Sequence, residues 1–482
     1  MADRRTSLTV DAAIIGTGQA APALATALAG RGERVAVFEG GTTGGSCVNV
    51  GCTPTKTLRA SARIAHLARR AADFGVQVGP VTVDFAAVME RTQGVVRSSR
   101  SGLQRWIDGA DGLTFVQEYA ALDGRDGEHF VVRAGGRRVL ARRVYLNTGT
   151  RPFVPEIPGL DQVTALTNES ILQLREQPRH LVIVGGSYIG LELGQIFRRL
   201  GSEVTIIEAG PAIAGREDPD VTDRIATMLR DEGVAILTGH SVERVERVER
   251  VERGPSGTSI GEIRVMVRED GACATQGVQG SHLLIATGRI PNTHDLGLET
   301  VGVHVDDRGF VPTNGRLETN VAGIWALGDI NKRGAFTHTS YQDHEIVLAN
   351  HLGGARSADG RVATYALYTD PPLGRVGMTE GEARALLASG RRFLVAQHAM
   401  EHVSRAKEEG ETIGVMKVIV DAESRRFVGA SLLGIRGDEV VQVIGAMMAA
   451  DAPYDVLKEA LPVHPTVTEF FPTILGKLRP LE

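Results

Sequence analysis

Two short apolar runs, each followed by a glycine-rich turn, mark the clearest elements along the chain. The run AAII at 12–15 leads into GTGQAA, a segment rich in Ala and Leu, and the run RVAVFE, which ends at Glu39. The run LVIV at 181–184 leads in the same way into GGSYIG, another mixed segment, and EVTIIE, which ends at Glu208. Apolar runs of this length bounded by glycine are typical of buried strands. The longer segments between the two runs of each copy are typical of helices. Each copy therefore predicts a strand, a turn, a helix and a strand.

This repeated unit also predicts a ligand. A glycine turn between a strand and a helix lets backbone amides approach a pyrophosphate, and an acid after the second strand accepts hydrogen bonds from ribose hydroxyls. One such pattern is weak evidence, but in both copies the acid lies 23 positions after the first glycine. Ser187 replaces the middle glycine of the second copy, so we expect that turn to be reshaped. The predicted dinucleotide-binding positions are Gly16, Gly18, Ala21 and Glu39, and Gly185, Ser187, Gly190 and Glu208.

The predicted fold class is α/β, with three domains. Two Rossmann-like dinucleotide-binding domains comprise residues 1–155 with 281–355, and residues 156–280, which are inserted into the first. The insertion is predicted because ATGR at 286–289 and GIWALGD at 323–329 look like a return to the first domain. In residues 356–482, apolar runs such as GVMKVIVD and FVGASLLG predict a separate α+β domain with its own sheet.

The segment VERVERVERVER at 242–253 has a period of three, which fits neither a strand nor a helix. Its charges balance. We expect a solvated hairpin extension of the second domain without a functional role.

Composition excludes several classes of protein. The chain of 482 residues has a formal net charge of −5 and no basic block, so nucleic acid and anionic membranes are not expected partners. No apolar run approaches the length of a membrane span, and the apolar stretch near the N-terminus is better explained by a buried strand than by a signal peptide. Three cysteines without a secretion signal predict a cytoplasmic protein.

Two of those three cysteines lie in GGSCVNVGCTPTK, at Cys47 and Cys52. A permanent metal site is disfavoured because zinc sites need four ligands, and no second cysteine pair or nearby histidine exists. A structural disulfide is disfavoured because so short a loop restrains little entropy. A redox couple remains, since a predicted helix from Lys56 and its charge would stabilise a thiolate. Such thiols exchange with disulfides and bind soft metals transiently. Cys273 lies in a loop-like segment and is expected to be passive.

The cysteine segment closely resembles the redox-active disulfide of the class I pyridine nucleotide–disulfide oxidoreductases, which include glutathione reductase, dihydrolipoamide dehydrogenase and mercuric reductase. The resemblance covers essentially the whole chain, and the ordered set of motifs is more specific than any one of them. The further motifs are NTGTRP at 147–152, ATGRIPN at 286–292, ALGD at 326–329 and HPTVTE at 464–469.

The resemblance implies FAD at the first glycine turn, with Asp329 facing the ribityl chain. It also implies that Cys47 is the interchange thiol that meets the substrate. Cys52 would lie against the flavin and form a charge-transfer complex with it when reduced. Further cofactor-binding positions implied in this way are Gly45, Ser46, Thr148, Gly149, Gly288 and Arg289.

The remaining implied roles concern proton transfer and assembly. Lys56 would approach the flavin and pair with Glu192. His464, oriented by Glu469, would act as acid and base on the thiol pair, reaching in from the other subunit of a homodimer. Histidine suits this task because its pKa lies near neutral pH. The C-terminal domain would then be the dimerisation domain.

Glu208 favours NADH over NADPH because it would repel a 2′-phosphate, although Arg216 could weaken that preference. The resemblance also implies that the electron acceptor is a small molecule or metal ion. Segments 216–234 and 369–380 look most like the flavoenzymes of reactive-chlorine resistance that reduce copper(II). Mercuric reductase is similar through PPLGRVGMTE and HVSRA, but its C-terminal cysteine pair is absent from the ending KLRPLE. Dihydrolipoamide dehydrogenase is the alternative enzyme, glutathione reductase is disfavoured by Glu208, and a flavin-bound redox sensor is the non-enzyme alternative.

Overall fold

The computed structural model describes residues 8–248 and 262–482. Its strands are β1 (Leu8–Ile15), β2 (Val35–Phe38), β3 (Leu113–Val116), β4 (Ala120–Asp126), β5 (His129–Ala134), β6 (Arg137–Leu146), β7 (Thr150–Pro152), β8 (Ala165–Leu166), β9 (His180–Val184), β10 (Glu203–Glu208), β11 (Val234–Thr238), β12 (His240–Val248), β13 (Glu262–Glu269), β14 (Thr275–Gly280), β15 (His282–Ile285), β16 (Arg289–Pro291), β17 (Ile324–Ala326), β18 (Thr364–Leu367), β19 (Leu373–Gly377), β20 (Phe393–Ala399), β21 (Val415–Asp421), β22 (Phe427–Leu433) and β23 (Arg479–Pro480).

The α-helices are α1 (Ala21–Ala29), α2 (Gly45–Asn49), α3 (Cys52–Arg69), α4 (Phe85–Asp108), α5 (Tyr188–Leu200), α6 (Pro219–Asp231), α7 (Thr337–His351), α8 (Glu380–Leu387), α9 (Ser404–Glu408), α10 (Gly437–Ala449), α11 (Tyr454–Glu459) and α12 (Phe471–Leu475). Within the described ranges, none of these helices combines the length and the apolar character that a membrane crossing requires.

The described residues form two compact units. The first unit contains residues 8–58, 86–154 and 288–361, and the second contains residues 59–85, 155–248, 262–287 and 362–482. The α/β fold class is confirmed. The division into three domains with the proposed boundaries stays a prediction.

The first unit is built on a seven-stranded sheet with the order β3-β2-β1-β6-β5-β4, to which β17 adds beside β6. Its centre is parallel, and β1 is buried on both faces: Ala12 and Ile14 pack in one core with α1, whereas Ala13 and Ile15 pack in another. Alternate side chains of a strand point to opposite faces, so a continuous apolar run fills both cores. The predicted strand, turn, helix and strand are confirmed as β1, α1 and β2.

The second glycine turn lies in the second unit, in a five-stranded parallel sheet with the order β11-β10-β9-β15-β8. The predicted order is confirmed there as β9, α5 and β10. A six-stranded sheet, β18-β19-β22-β21-β20-β23, contains the two apolar runs from which we predicted a C-terminal sheet, and they pair antiparallel as β21 and β22.

The VER segment differs from the expectation of a solvated extension. Its first part lies in β12, which pairs with β13, and Val245 is buried beside Val242 in a hydrophobic core. A bulge between Val242 and Arg244 inserts one extra residue, so two valines three positions apart face the same side. The antiparallel pairing agrees with the predicted hairpin, but the expectation that the segment is solvated was wrong for Val242 and Val245, while residues 249–253 lie outside the described ranges.

Candidate active site

The first glycine turn is closed by contact with the strand next to it. A side chain on Gly16 would place its Cβ 2.4 Å from the carbonyl oxygen of Asn147, which follows β6, and Gly16 has a φ of 97°. A side chain on Gly18 would place its Cβ 2.8 Å from Oδ1 of Asn147. Only glycine combines this backbone conformation with this approach. The first turn therefore has the shape that a backbone-bound phosphate group requires.

Glu39 lies at the end of β2 and binds the same turn. Its Oε2 accepts hydrogen bonds from the amide and the hydroxyl of Thr17, at 3.0 and 2.5 Å, and its Oε1 accepts from the amide of Gly41 at 2.7 Å. Asn147 donates through Nδ2 to the carbonyl of Leu327, but its buried Oδ1 has no hydrogen-bond partner in the described structure. A cradle of glycines, an acid and an unsatisfied buried acceptor fits a bound dinucleotide such as FAD.

Asp329 lies on the same unit as this turn and is joined to the predicted positions around it. The hydroxyl of Thr150 donates to its Oδ2 at 3.2 Å, and Arg289 donates to the same hydroxyl at 2.8 Å. Burial raises the pKa of the Asp329 carboxyl, against the opposing charge of Arg289. Thr148 lies nearby in sequence and donates its hydroxyl to the carbonyl of Asn292 at 2.9 Å.

The cysteine segment is anchored directly to the first glycine turn. The amide of Gly44 donates to the hydroxyl of Thr17 at 2.9 Å, and a Cβ on Gly45 would lie 2.9 Å from Cα of Gly18. Gly44 and Gly45 have φ values of 110° and 63°, which glycine adopts readily. The two segments that the sequence analysis connected only by resemblance are therefore neighbours in the fold.

Two successive helices carry the two cysteines. Cys47 lies within the short helix α2, and Cys52 is the first residue of α3, so this helix begins four residues earlier than the predicted start at Lys56. The residue that permits the link is Gly51, where a Cβ would lie 2.9 Å from the carbonyl oxygen of Ser46. Both cysteines are free thiols. A disulfide between them stays a prediction.

Cys52 influences the protonation of Cys47. The pKa of Cys47 is raised well above its ordinary value of 9.0, first by its hydrogen bond with Cys52 and then by burial. The hydroxyl of Thr337 and the charge of Lys56 act in the opposite direction. Thr337 begins α7, and its Oγ1 lies 3.2 Å from Sγ of Cys52. At neutral pH the reduced Cys47 therefore keeps its proton, and its oxidation needs a base.

The second glycine turn repeats the geometry of the first. A Cβ on Gly185 would lie 2.4 Å from the carbonyl of Ala286, and one on Gly190 would lie 2.0 Å from the carbonyl of Gly185. Glu208 accepts hydrogen bonds at 2.7 Å from the amide of Gly186 and at 2.7 Å from the amide of Gly210. Ser187 caps α5 without a side-chain capping bond. The second turn therefore retains the form of a dinucleotide site despite the serine.

His464 and Glu469 form a pair in the second unit. Nδ1 of His464 lies 2.7 Å from Oε2 of Glu469, and the histidine side chain is 74% exposed while the carboxylate side chain is 13% exposed. A carboxylate at Nδ1 favours the tautomer that carries its proton there. Nε2 is then left as the acceptor of a proton.

Glu192 and Lys56 are predicted to pair with each other. Glu192 is buried on α5 and accepts a hydrogen bond from the amide of Tyr368 at 2.9 Å, while Lys56 lies within the first turns of α3. Their pairing stays a prediction. Two features of the site were not predicted from the sequence: the contact of Thr337 with Cys52, 285 positions away, and the side-chain role of Asn147. No sequence pattern signals either contact, because both arise from chain segments far apart in sequence.

Comparison with known proteins identifies the family. The model of the pyridine nucleotide-disulphide oxidoreductase family matches residues 10–343. The model of its dimerisation domain matches residues 363–474. The chain belongs to the pyridine nucleotide-disulphide oxidoreductases. The family implies FAD and a pyridine nucleotide, which agrees with the two glycine turns.

The similar relatives span nearly the whole chain. A probable pyridine nucleotide-disulfide oxidoreductase of Escherichia coli K12, RclA, is 35% identical over 95% of this chain and 97% of its own. A mercuric reductase of Streptomyces lividans is 34% identical over 95% of this chain and 93% of its own. The solved copper(II) complex of the HOCl-induced flavoprotein disulfide reductase RclA matches with a TM-score of 0.83 and 34% identity, covering 97% of this chain and 100% of that chain.

These findings establish the class of reaction. The protein is an FAD-dependent oxidoreductase of the disulfide-reductase or metal-ion-reductase type. A dihydrolipoyl dehydrogenase of Cupriavidus necator is 30% identical over 88% of this chain, so the alternative enzyme belongs to the same family. Relatives of this kind disfavour the alternative of a redox sensor without turnover.

Proposed function

We propose that the protein passes electrons from NADH, through FAD and the pair Cys47–Cys52, to copper(II). The observation that carries this proposal is the pair of neighbouring thiols, whose segment is anchored to the glycine turn of the first unit, in a chain similar to an oxidoreductase solved with copper(II). Thiols are the soft ligands that copper(I) prefers, so the pair suits the product of the reduction.

The electron balance of the acceptor step is simple. The two thiols lose two electrons and two protons as their S–S bond forms, and two copper(II) ions each gain one electron to become copper(I). FAD, when bound, supplies the two-electron transfer between the nicotinamide nucleotide and the disulfide. Gly16, Gly18 and Glu39 would hold its pyrophosphate and ribose, and Asp329 its ribityl chain.

His464 is proposed as the group that moves the protons. Its Nε2 is available because Nδ1 faces Glu469, and the raised pKa of Cys47 creates the need for a base. The exposure of His464 supports action on the cysteines of the other subunit in a homodimer, as does the match of residues 363–474 to a dimerisation domain. Lys56 paired with Glu192 is part of the same proposal.

NADH is the proposed electron source. Glu208 lies at the end of β10 and binds the turn amides, where a 2′-phosphate would meet its negative charge. Arg216 is exposed in the same unit and is the residue that could weaken the preference. The cytoplasm stays our predicted location.

The test is an anaerobic titration of the purified yellow holoenzyme with NADH, followed by its visible spectrum. We expect a long-wavelength charge-transfer band after one equivalent, and discharge of that band when copper(II) is added. Discharge by lipoamide instead would favour dihydrolipoamide dehydrogenase, and discharge by mercury(II) alone would favour a mercuric reductase. Simple bleaching without the band would contradict the role of the cysteine pair.

A further inference from the structure

Asn49 lies between the two cysteines in sequence and holds the loop that precedes Cys47. It is the last residue of α2, and its Nδ2 donates to the carbonyls of Thr42, Thr43 and Gly45 at 3.2, 3.1 and 2.9 Å. An amide has two N–H donors, so the three carbonyls share them. The loop thus closes on one side chain, and Cys47 lies within the closed segment.

The other end of the Asn49 amide is held by α4. Nε of Arg100 donates to Oδ1 of Asn49 at 2.9 Å. One turn later on the same helix, Gln104 accepts a hydrogen bond from the hydroxyl of Thr43 at 2.7 Å. Residues four apart share one face of a helix, so this face of α4 holds the loop at two points.

No surface ion pair within the described residues orients the Arg100 side chain toward Asn49. Among the residues that the structure describes, no carboxylate forms an ion pair with Arg100, whereas Arg97 on the same helix pairs with Glu90. Arg100 borders an open cavity of about 320 Å³, so its removal does not leave a sealed void in a core. Its hydrogen bond to Asn49 is therefore the interaction that a substitution removes.

We infer that Arg100 and Asn49 are positioning residues that keep Cys47 within bonding distance of Cys52 when both are reduced. This inference depends on the proposed redox role of the cysteine pair. A disulfide requires its two Cα atoms to lie about 4.4–6.8 Å apart. If the loop that carries Cys47 becomes mobile after reduction, the effective concentration of one thiol at the other falls, and the disulfide forms less readily. Without the Arg100–Asn49 contact, the loop gains conformational entropy in the dithiol form, whereas the S–S bond still restrains it in the disulfide form.

The expected effect is a shift of the dithiol–disulfide equilibrium toward the dithiol. For Arg100→Ala and for Asn49→Ala we expect a change of about tenfold, which corresponds to a reduction potential about 30 mV more positive. Arg100→Lys retains a cationic donor and should recover part of the loss. Arg97→Ala, on the exposed side of the same helix, is the matched control and should leave the equilibrium unchanged.

The measurement uses the FAD-loaded enzyme in dithiothreitol redox buffers, with alkylation of Cys47 and Cys52 counted by mass spectrometry. The thermal midpoint and the FAD content of each variant are recorded in parallel. A merely structural role would lower the thermal midpoint without moving the equilibrium. If Asn49→Ala does not fold, Arg100→Ala still decides, because it removes only the outer contact.

The outcomes separate this inference from the proposed function. If the wild-type enzyme forms no Cys47–Cys52 disulfide in any buffer, the proposed function fails, and this inference with it. If the wild type forms the disulfide and the Arg100→Ala equilibrium equals that of Arg97→Ala, the positioning role is overturned while the proposed function stands.

Discussion

Glu39 and Glu208 perform the same task at the scale of single residues. Each carboxylate accepts a hydrogen bond from a backbone amide inside its glycine turn and another from the amide two residues after the glutamate itself. The turn and the acid are thus linked before any ligand binds, which lowers the cost of ordering the site. The same short motif, a glycine turn and an acid after the next strand, therefore forms the same hydrogen bonds in both copies.

The steric need for glycine at position 16 gives a first prediction. Gly16→Ala should weaken FAD binding at least tenfold, because its Cβ would meet the carbonyl of Asn147 at 2.4 Å. FAD affinity measured by fluorescence on reconstituting the apoprotein checks it. Gly32→Ala is the matched control: Gly32 also has a positive φ, of 86°, but a Cβ there meets nothing within 4 Å. Equal effects of the two changes would show that backbone strain, and not contact, is responsible.

The proposed interchange role of Cys47 gives a second prediction at this scale. Cys47→Ser should abolish reduction of copper(II) and of disulfides while leaving FAD bound, because the serine hydroxyl cannot form the S–S bond. Steady-state NADH consumption and the flavin spectrum check it. Cys273→Ser is the control, since that thiol is exposed in a loop, and it should retain full turnover. Turnover by the Cys47→Ser enzyme would rule out the interchange role.

Helices α3 and α5 are joined, at the scale of elements, by one buried carboxylate. Asp370 accepts from Arg63 of α3 and from Arg199 of α5, and its amide donates to Gln195 at 2.8 Å. Burial by itself would raise the pKa of Asp370, but the hydrogen bonds and charges of Arg63 and Arg199 bring it below its ordinary value. Its favourable interactions are therefore present above about pH 4 and are lost as the pH falls through its lowered pKa.

Removal of this charge should destabilise the second unit. Asp370→Asn removes one carboxylate from each of two buried or half-buried arginines, which keep only Glu232 and Glu411 among the described residues, and we expect it to cost about 3 kcal/mol of unfolding free energy. Urea unfolding at pH 7 measures it. Asp73→Asn changes an exposed carboxylate that pairs with Arg70, and should cost less than about 1 kcal/mol. Comparable losses from the two changes would contradict the importance of the buried position.

His66 of α3 gives a pH prediction for the same region. Burial, followed by the charge of Arg199, lowers its pKa from 6.5 to about 4. Between these pH values His66 is protonated in the unfolded chain but neutral in the folded chain. The free energy of unfolding therefore falls as the pH decreases from 6.5 toward 4. His66→Gln should remove about 1 kcal/mol of that loss after allowance for solvent screening. Unfolding curves at pH 7 and pH 4.5 measure this. An equal loss of unfolding free energy between the two pH values in the wild type and in His66→Gln would disprove the prediction.

The proposed roles of Cys47 and His464 give a prediction at the scale of the whole molecule. Cys47 belongs to the first compact unit and His464 to the second, and the family contains a dimerisation domain. If His464 acts on the other subunit, a heterodimer of a Cys47→Ser chain with a His464→Ala chain contains one intact site. Such heterodimers, purified with two different tags, should show about half of the wild-type turnover, whereas both mutant homodimers should be nearly inactive. An inactive heterodimer would place the histidine on its own subunit.

Much of the fold was predictable because its signals are local. The runs that became β1 and β9, and the turns after them, depend on residues within one strand–turn–helix unit, so their periodicity and glycine spacing are visible in the chain. The VER segment shows the limit of that approach. Its period of three fits a partly buried strand only because a bulge against β13 compensates for the odd residue, and the position of that bulge cannot be read from the segment itself.

The candidate site also contains features set by local sequence and features set by contacts between distant segments. The amino-acid sequence by itself determined the two glycine turns, their acids, the cysteine pair and the His–Glu pair, because each is a short segment whose residue types carry the chemistry. Only the tertiary structure decided that Thr337 meets Cys52, that Asn147 closes the first turn, and that Arg100 holds Asn49. These contacts join segments far apart in the chain, and their distances follow from how the sheet and helices pack, which no spacing of residues records.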